Sequence, residues 1–308
     1  MADKYGPGER GRMQLFVDTA KLSEIREAMG WGVVDGITTN PSLLRAAVEG
    51  EGSRSLEEHV REICRLAGKG RPVSLEVMGL KAEEMVEEAR ILHRKFNPVA
   101  RNVVIKIPVC TSTGEGGEEE GIKALRELAR LRIPTNATLV MTPEQALLAA
   151  KAGARYVSPF AGRIDDLVRS RLGIPFGKYD YFDFSLLRRL AERRLEEIAG
   201  RGGGLGELYQ DAEVRALADP GGNQGILSGV ELVRSTVKIL RYYRFRTKVI
   251  ASSLRHPRQV REVAEAGADI ATVPFQVLKA MLRHPKTEEG VRLFTQDAEK
   301  AGYRELFG

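Results

Sequence analysis

Asn102-Val103-Val104-Ile105-Lys106-Ile107-Pro108-Val109 is the stretch from which the fold can be read. A continuous apolar run of this length reads as a buried strand. One charge, Lys106, lies inside it. A lysine so placed points into a barrel or is otherwise buried, and burial works against an ammonium. The other reading is a lysine at a strand end that reaches solvent or pairs with a carboxylate. The strand by itself leaves both open.

Working outward, three further strand candidates precede it: MQLFVD (13–18), VVDGITT (33–39) and PVSLEVM (72–78). Four follow: IPTNATLVM (133–141), RYVSPFAGRID with its loop (155–165), RTKVIASS (246–253) and ADIATVPF (268–275). Helix-like stretches separate them, at about 22–29, 53–67 and 81–95. EEEGIKALRELARL (118–131) carries acidic residues in its first turn, which suits the helix dipole. PEQALLAAKAG ends at Gly153 and PRQVREVAEAG at Gly267, both helix stop signals. FQVLKAML (275–282) begins a last set of helices. Eight strand–helix units in sequence predict a parallel α/β fold, and eight is the number that closes a (β/α)8 TIM barrel. A doubly wound sheet would usually show a Gly-rich dinucleotide turn, and neither G-x-G-x-x-G nor a P-loop occurs. The expectation is a single barrel domain over 1–308.

One stretch breaks the rhythm, an inserted segment after the sixth strand at about 167–227. FDFSLLRRLAERRLEEIAG reads as a helix closed by Gly200, and RGGGLGEL and an Asp219-Pro220-Gly221-Gly222 turn follow. It is expected to be a surface insertion, with a lid or an oligomer contact as the alternative. Residues 1–12 read as a loose arm.

Composition narrows the function classes. The 308 residues are 43% hydrophobic and 29% charged, an ordinary globular balance. The net charge of +6, from 48 basic and 42 acidic residues, fits a mixed-charge surface and equally an enzyme that draws in phosphorylated substrates. Two cysteines, Cys64 and Cys110, are too few for a disulfide framework or a zinc site, and the four histidines lack metal-ligand spacing. MADKYGPGERGR has no hydrophobic signal region, and no apolar run approaches the roughly 20 residues that span a bilayer. A reduced, soluble, cytoplasmic protein without a metal, a cofactor or a membrane partner is expected. Arg234–Arg246 places Tyr242, Tyr243 and Phe245 among basic residues, a mix that can bind nucleic acid. It reads instead as a helix with a solvated basic face and a buried aromatic one, so no nucleic acid is expected.

Several strands end in polar groups that a structural core would not need. Asp18 ends the first, Thr38 and Asn40 the second, and Glu76 lies in the third. Asn136 and Thr138 interrupt the fifth, Ser158 and Arg163 follow the sixth, and Ser253 and Arg255 the seventh. Any one of them could be a cap or a loop hydrogen bond. In a barrel, however, C-terminal strand ends converge on one mouth, where all would meet Lys106.

The motifs LFVDTA (15–20), DGITTNPSLL (35–44), SLEVM (74–78), VVIKIPV (103–109), PTNATLV (134–140), YVSPFAGRIDD (156–166) and ASSLR (251–255) resemble, in order and spacing, those of the transaldolase family. The resemblance covers nearly the whole chain except the insertion. It implies that Lys106 forms an imine with the C2 carbon of a ketose. Asp18 would take the proton from the C4 hydroxyl as the C3–C4 bond breaks. Glu76 and Thr138 would hold a water that shuttles protons. Asn40 and Asn136 would hydrogen-bond the dihydroxyacetone part, Thr38 would support the site, and Ser158 would lie near the C1 hydroxyl. Arg163, Ser253 and Arg255 would bind phosphate, which suits a guanidinium.

The same superfamily contains fructose-6-phosphate aldolases, which resemble this chain but carry Gln where it has Glu76 and Tyr where it has Phe160. Both positions here follow the transferase pattern, and Phe160 offers no phenol to help protonate an enamine. The resemblance thus implies transfer of a dihydroxyacetone unit between sugar phosphates, in the non-oxidative pentose phosphate pathway. The aldolase is the alternative, and a sugar-phosphate sensor barrel the non-enzyme one. A homo-oligomer is expected.

Overall fold

In a computed structural model, eight parallel strands close on themselves in sequence order, the first pairing with the last. The structure describes residues 12–51, 55–114, 116–202, 204–212, 214–215 and 223–307. The strands are β1 (Gln14–Asp18), β2 (Gly36–Thr38), β3 (Val73–Glu76), β4 (Val103–Pro108), β5 (Thr135–Val140), β6 (Tyr156–Pro159), β7 (Lys248–Ala251) and β8 (Ile270–Val273). Around them run α1 (Leu22–Gly30), α2 (Pro41–Glu51), α3 (Leu56–Ala67), α4 (Ala82–Ala100), α5 (Glu120–Arg130), α6 (Pro143–Ala152) and α7 (Ala161–Arg171). Then come α8 (Phe184–Gly200), α9 (Leu205–Gln210), α10 (Gly229–Tyr242), α11 (Pro257–Glu265), α12 (Phe275–Ala280) and α13 (Pro285–Lys300). The (β/α)8 barrel is thus the architecture that the alternation of strands and helices predicts.

The period of two along a strand divides β4 between two environments. Val103, Ile105 and Ile107 face outward into the large core between barrel and helices. Val104 faces inward, where it joins Phe16, Tyr156, Ile250 and Ile270 in a separate cluster. These five form an apolar floor inside the barrel. Two residues further along each of those strands, or just past its end, the side chain on the same face is polar: Asp18, Lys106, Ser158, Ser252 and Thr272. The floor excludes water from below, and the next layer up carries the chemistry.

Gly36 makes room for that floor. It pairs with Phe16 across β1 and β2, and a Cβ there would lie 2.7 Å from the Phe16 ring. Phe16 is fully buried, so it has nowhere to retreat.

The helices depart from expectation in three places. α2 was not foreseen, although Asn40-Pro41 is a capping residue followed by proline at the first helical position. The stretch 81–95 extends to Ala100, running through Pro98 in the last turn of α4 before the helix ends at left-handed Arg101. The aromatic face of α10 is not buried: Tyr242 and Tyr243 are 67% and 66% exposed and meet edge to face with centroids 5.0 Å apart. There the helix ends, and only Phe245 folds back, partly buried against the core. The Asp219–Gly222 turn and residues 1–11 lie outside the described residues.

Between β6 and β7, α7 is followed by α8 and α9 before the chain returns through α10. The segment after α7 is tied back to α11. Tyr181 donates its hydroxyl to Glu262 at 2.7 Å, and Arg258 lies 4.2 Å from the Tyr181 ring centroid. Among the described residues, no helix is long and apolar enough to cross a membrane.

Overpacking a filled core costs about 1–3 kcal/mol. Gly36→Ala should lose about that much unfolding free energy in urea, and Phe16→Leu added to it should restore part. No loss in the single variant would show that the barrel floor is looser than described.

Candidate active site

Strand register brings the predicted residues together. Lys106 pairs with Glu76 on one side and Asn136 on the other, so three neighbouring strands present them at one level. The Lys106 side chain is 7% exposed. Its Nζ lies 2.9 Å from Glu76 Oε2 and donates to the Thr39 carbonyl at 3.0 Å. The lysine of the apolar strand is therefore buried and paired with a carboxylate, which joins both readings that its strand left open.

Asp18 sits on the far side of the same mouth, in register with Thr38. Thr38 donates its hydroxyl to Asp18 Oδ1 at 2.6 Å and also contacts the Thr272 hydroxyl of β8. Burial pushes the Asp18 carboxyl above its ordinary range, against the Thr38 hydrogen bond and the nearby positive charges of Lys106 and Arg255; Glu76 adds to the rise. Four ionisable groups from β1, β3, β4 and the end of β7 thus feel one another across the mouth.

On β5 and β6, Ser158 donates to Asn136 Oδ1 at 2.7 Å. Asn136 Nδ2 and Thr138 Oγ1 are buried and meet no protein partner. A buried amide or hydroxyl in that position is costly unless something else takes the bond. Asn40 is differently employed: its Oδ1 accepts from Leu43 N at 2.9 Å and caps α2.

The remaining predicted residues lie where β6 and β7 end. Phe160 bridges to Ser252, extending the pairing of those strands past their ends. Arg163, in the first turn of α7, is exposed and lies 5.3 Å from the Phe160 ring centroid. Ser253 takes a left-handed conformation, φ 61°. Gly162 allows this close crossing, since a Cβ on it would come within 2.0 Å of the Ser253 carbonyl oxygen. Arg255 Nη2 donates to Asp166 Oδ2 at 2.9 Å. Phe160 at the start of α7 offers no side-chain cap, so the positive end of that helix points at the same region as Arg163 and Arg255.

Four groups in the site were not singled out from the sequence: Thr39, Thr272, Asp165 and Asp166. Both aspartates lie in the YVSPFAGRIDD motif, but the partners that tie them to the rim, Gly229, Gln259 and Arg255, are 64 to 94 residues away in the chain. Asp165 Oδ1 accepts from Gly229 N at 2.7 Å, and Oδ2 accepts from Gln259 Nε2 at 2.6 Å. Gln259 Oε1 in turn accepts from Arg255 N at 2.8 Å. Among the described residues, no three His, Cys, Asp or Glu side chains are grouped to hold a metal ion.

An amine and two carboxylates enclosed in one barrel mouth, with a cationic rim on one side, define an enzyme of the (β/α)8 class whose centre carries groups able to exchange protons. The comparison with known proteins narrows this. The sequence matches the Transaldolase/Fructose-6-phosphate aldolase family over residues 15–181 and 210–305, and the chain belongs to that family. It is 41% identical over 289 residues to a protein of Caldicellulosiruptor saccharolyticus named probable transaldolase, covering 94% of this chain and 98% of the relative. Proteins of the same name from Thermus thermophilus and Aquifex aeolicus are each 37% identical, again over 94% of this chain and 99% and 97% of theirs. Most of α8 and α9 fall between the two matched stretches.

Burial raises the Asp165 carboxyl from 3.8 to about 7. The folded chain therefore keeps that proton up to about pH 7, whereas the unfolded chain loses it near 3.8. Its contribution to stability is full at acid pH and falls as the pH rises between those values. In urea titrations from pH 4.5 to 7.5, the wild type should lose stability relative to Asp165→Asn, on the order of a few kcal/mol. A pH-independent difference would contradict the buried, protonated carboxyl.

Proposed function

We propose that this chain is a transaldolase that works through a Schiff base on Lys106. It moves a dihydroxyacetone unit from sedoheptulose 7-phosphate or fructose 6-phosphate to glyceraldehyde 3-phosphate or erythrose 4-phosphate. The observation that carries this is the buried Lys106 within 2.9 Å of Glu76, in a chain whose relatives bear the name probable transaldolase.

Glu76 is near enough to take the proton from the ammonium, leaving the neutral amine that attacks the C2 carbonyl. Loss of water from that adduct gives the protonated imine. Glu76 and Thr138 hold the water that carries these protons, which suits the unpartnered Thr138 hydroxyl. Asp18 then removes the C4 hydroxyl proton. The C3–C4 bond breaks, its electron pair moves into the imine, and an enamine and an aldose phosphate result. Asp18 is fitted to this role by its raised carboxyl, since a base works best when its affinity for protons is not too low. That aldose phosphate leaves and an acceptor aldose phosphate takes its place. The enamine attacks the acceptor's aldehyde carbon, Asp18 returns its proton to the new C4 oxygen, and hydrolysis of the imine releases the ketose phosphate and restores Lys106.

Asn136 offers its free Nδ2 to the dihydroxyacetone part, and Ser158, bonded to the same amide, lies beside it near C1. Thr38 supports Asp18. Asn40 is assigned to the same sugar with its amide nitrogen, since its oxygen caps α2. Arg163, Ser253 and Arg255 take the phosphate at the start of α7. The net charge of +6 fits such substrates. No cofactor is required. The setting proposed is cytoplasmic, in the non-oxidative pentose phosphate pathway, with no nucleic-acid partner. Several copies would assemble, consistent with α13, in which no residue is buried.

Fructose-6-phosphate aldolase activity is the second reading, because the family contains both. Phe160 and Glu76 favour transfer, as Phe160 leaves no phenol near the enamine. Consumption of fructose 6-phosphate should depend on erythrose 4-phosphate, falling at least about tenfold without it. Equal turnover without acceptor, with free dihydroxyacetone released, would favour the aldolase. Phe160→Tyr should raise that release several-fold; unchanged release would remove Phe160 from the account.

A further inference from the structure

Arg255 lies along α7 and does not project freely from the rim. Its Nε is buried over Gly162, where a Cβ would come within 2.8 Å of it, and its Nη2 reaches Asp166 Oδ2 at 2.9 Å. Gly162 and Asp166 are four residues apart, so one helix face supports both contacts a turn apart. Nε itself has no protein partner.

Asp166 is fixed in its turn. Its Oδ1 accepts from Arg169 Nη2 at 3.0 Å. Arg169 is 2% exposed, lies 4.1 Å from the Phe176 ring centroid and donates to the Asp180 carbonyl at 3.3 Å. The aspartate therefore stands between two guanidinium groups, one facing the rim and one buried under the segment after α7. The three groups sum to one positive charge, so Asp166 can hold Arg255 without cancelling the field that attracts an anion.

We propose that Asp166 is a positioning residue for the substrate phosphate, holding Arg255 against α7 so that the guanidinium edge away from Gly162 and Asp166 is left for the anion. Arg169 and the 176–180 segment keep Asp166 in place. This rests on the reading of Arg255 as a phosphate ligand. An arginine already fixed when the chain folds does not have to be ordered by the ligand, which improves affinity. The effect belongs to binding and not to the chemistry at Lys106.

The test compares Asp166→Ala, Asp166→Asn and Arg255→Ala with wild type, using fructose 6-phosphate and erythrose 4-phosphate as substrates and inorganic phosphate as a competitive inhibitor. Asp166→Ala should raise KM and the phosphate inhibition constant about tenfold while kcat falls less than about threefold. Asp166→Asn keeps an acceptor oxygen in place and should recover part of the affinity, and it carries the test if the alanine variant does not fold. Asp166 variants with wild-type KM and phosphate inhibition, beside an Arg255→Ala variant that loses both, would overturn the positioning role alone. An Arg255→Ala variant with unchanged phosphate inhibition would overturn the assignment of Arg255 and this inference with it. A fall in kcat as large as the rise in KM would mark Asp166 as general support for the fold and also overturn it.

Discussion

Lys106 puts a cation among the aliphatic side chains of β4, and the site is built around the need to compensate it. Glu76 and the Thr39 carbonyl do so at 2.9 and 3.0 Å. Removing one partner of a buried ion pair costs about 3–5 kcal/mol, because the other is left charged in a poor solvent. Such a pair does not add much stability over an apolar substitute, so its presence asks for another reason. The barrel supplies the geometry cheaply. Strand register sets Glu76, Lys106 and Asn136 side by side, and the floor of Phe16, Val104, Tyr156, Ile250 and Ile270 keeps water from below.

Opposite the lysine, the Asp18 carboxyl shows what the same enclosure does to an acid. Its burial outweighs both the Thr38 hydrogen bond and two nearby positive charges. The two carboxylates of the mouth thus stand in different surroundings, one hydrogen-bonded by the Thr38 hydroxyl and one held against an ammonium. Groups of one type in unlike environments can divide acid and base work between them. The rim differs again. There the start of α7, Arg163 and Arg255 gather positive charge, and Asp166 with Arg169 ties that rim to the segment outside the barrel.

Much of this was legible in the sequence because strands repeat every two residues and because Lys106 is out of place in its run. Eight apolar stretches and their polar ends predicted both the barrel and most of the mouth. The helical readings failed where a local signal was outweighed or passed over. α4 runs on through Pro98 in its last turn, and Asn40-Pro41, a capping residue before a proline, began a helix that a simple strand–helix alternation does not include. Tyr242 and Tyr243 were expected inside, but α10 ends there and leaves both exposed. Asp166 and Thr272 could not be found by pattern, since their meaning depends on Arg255 and Thr38, which lie far away in the chain. Asn40 illustrates the opposite limit: a residue placed at the site by its position spends its oxygen on a helix cap.

The most direct measurement of the central claim is covalent. The protein is incubated with fructose 6-phosphate, reduced with borohydride, digested and mapped by mass. The account predicts a reduced sugar adduct on the peptide that contains Lys106, and none in a Lys106→Met variant. An active preparation that yields no adduct, or carries it on another lysine, would contradict it.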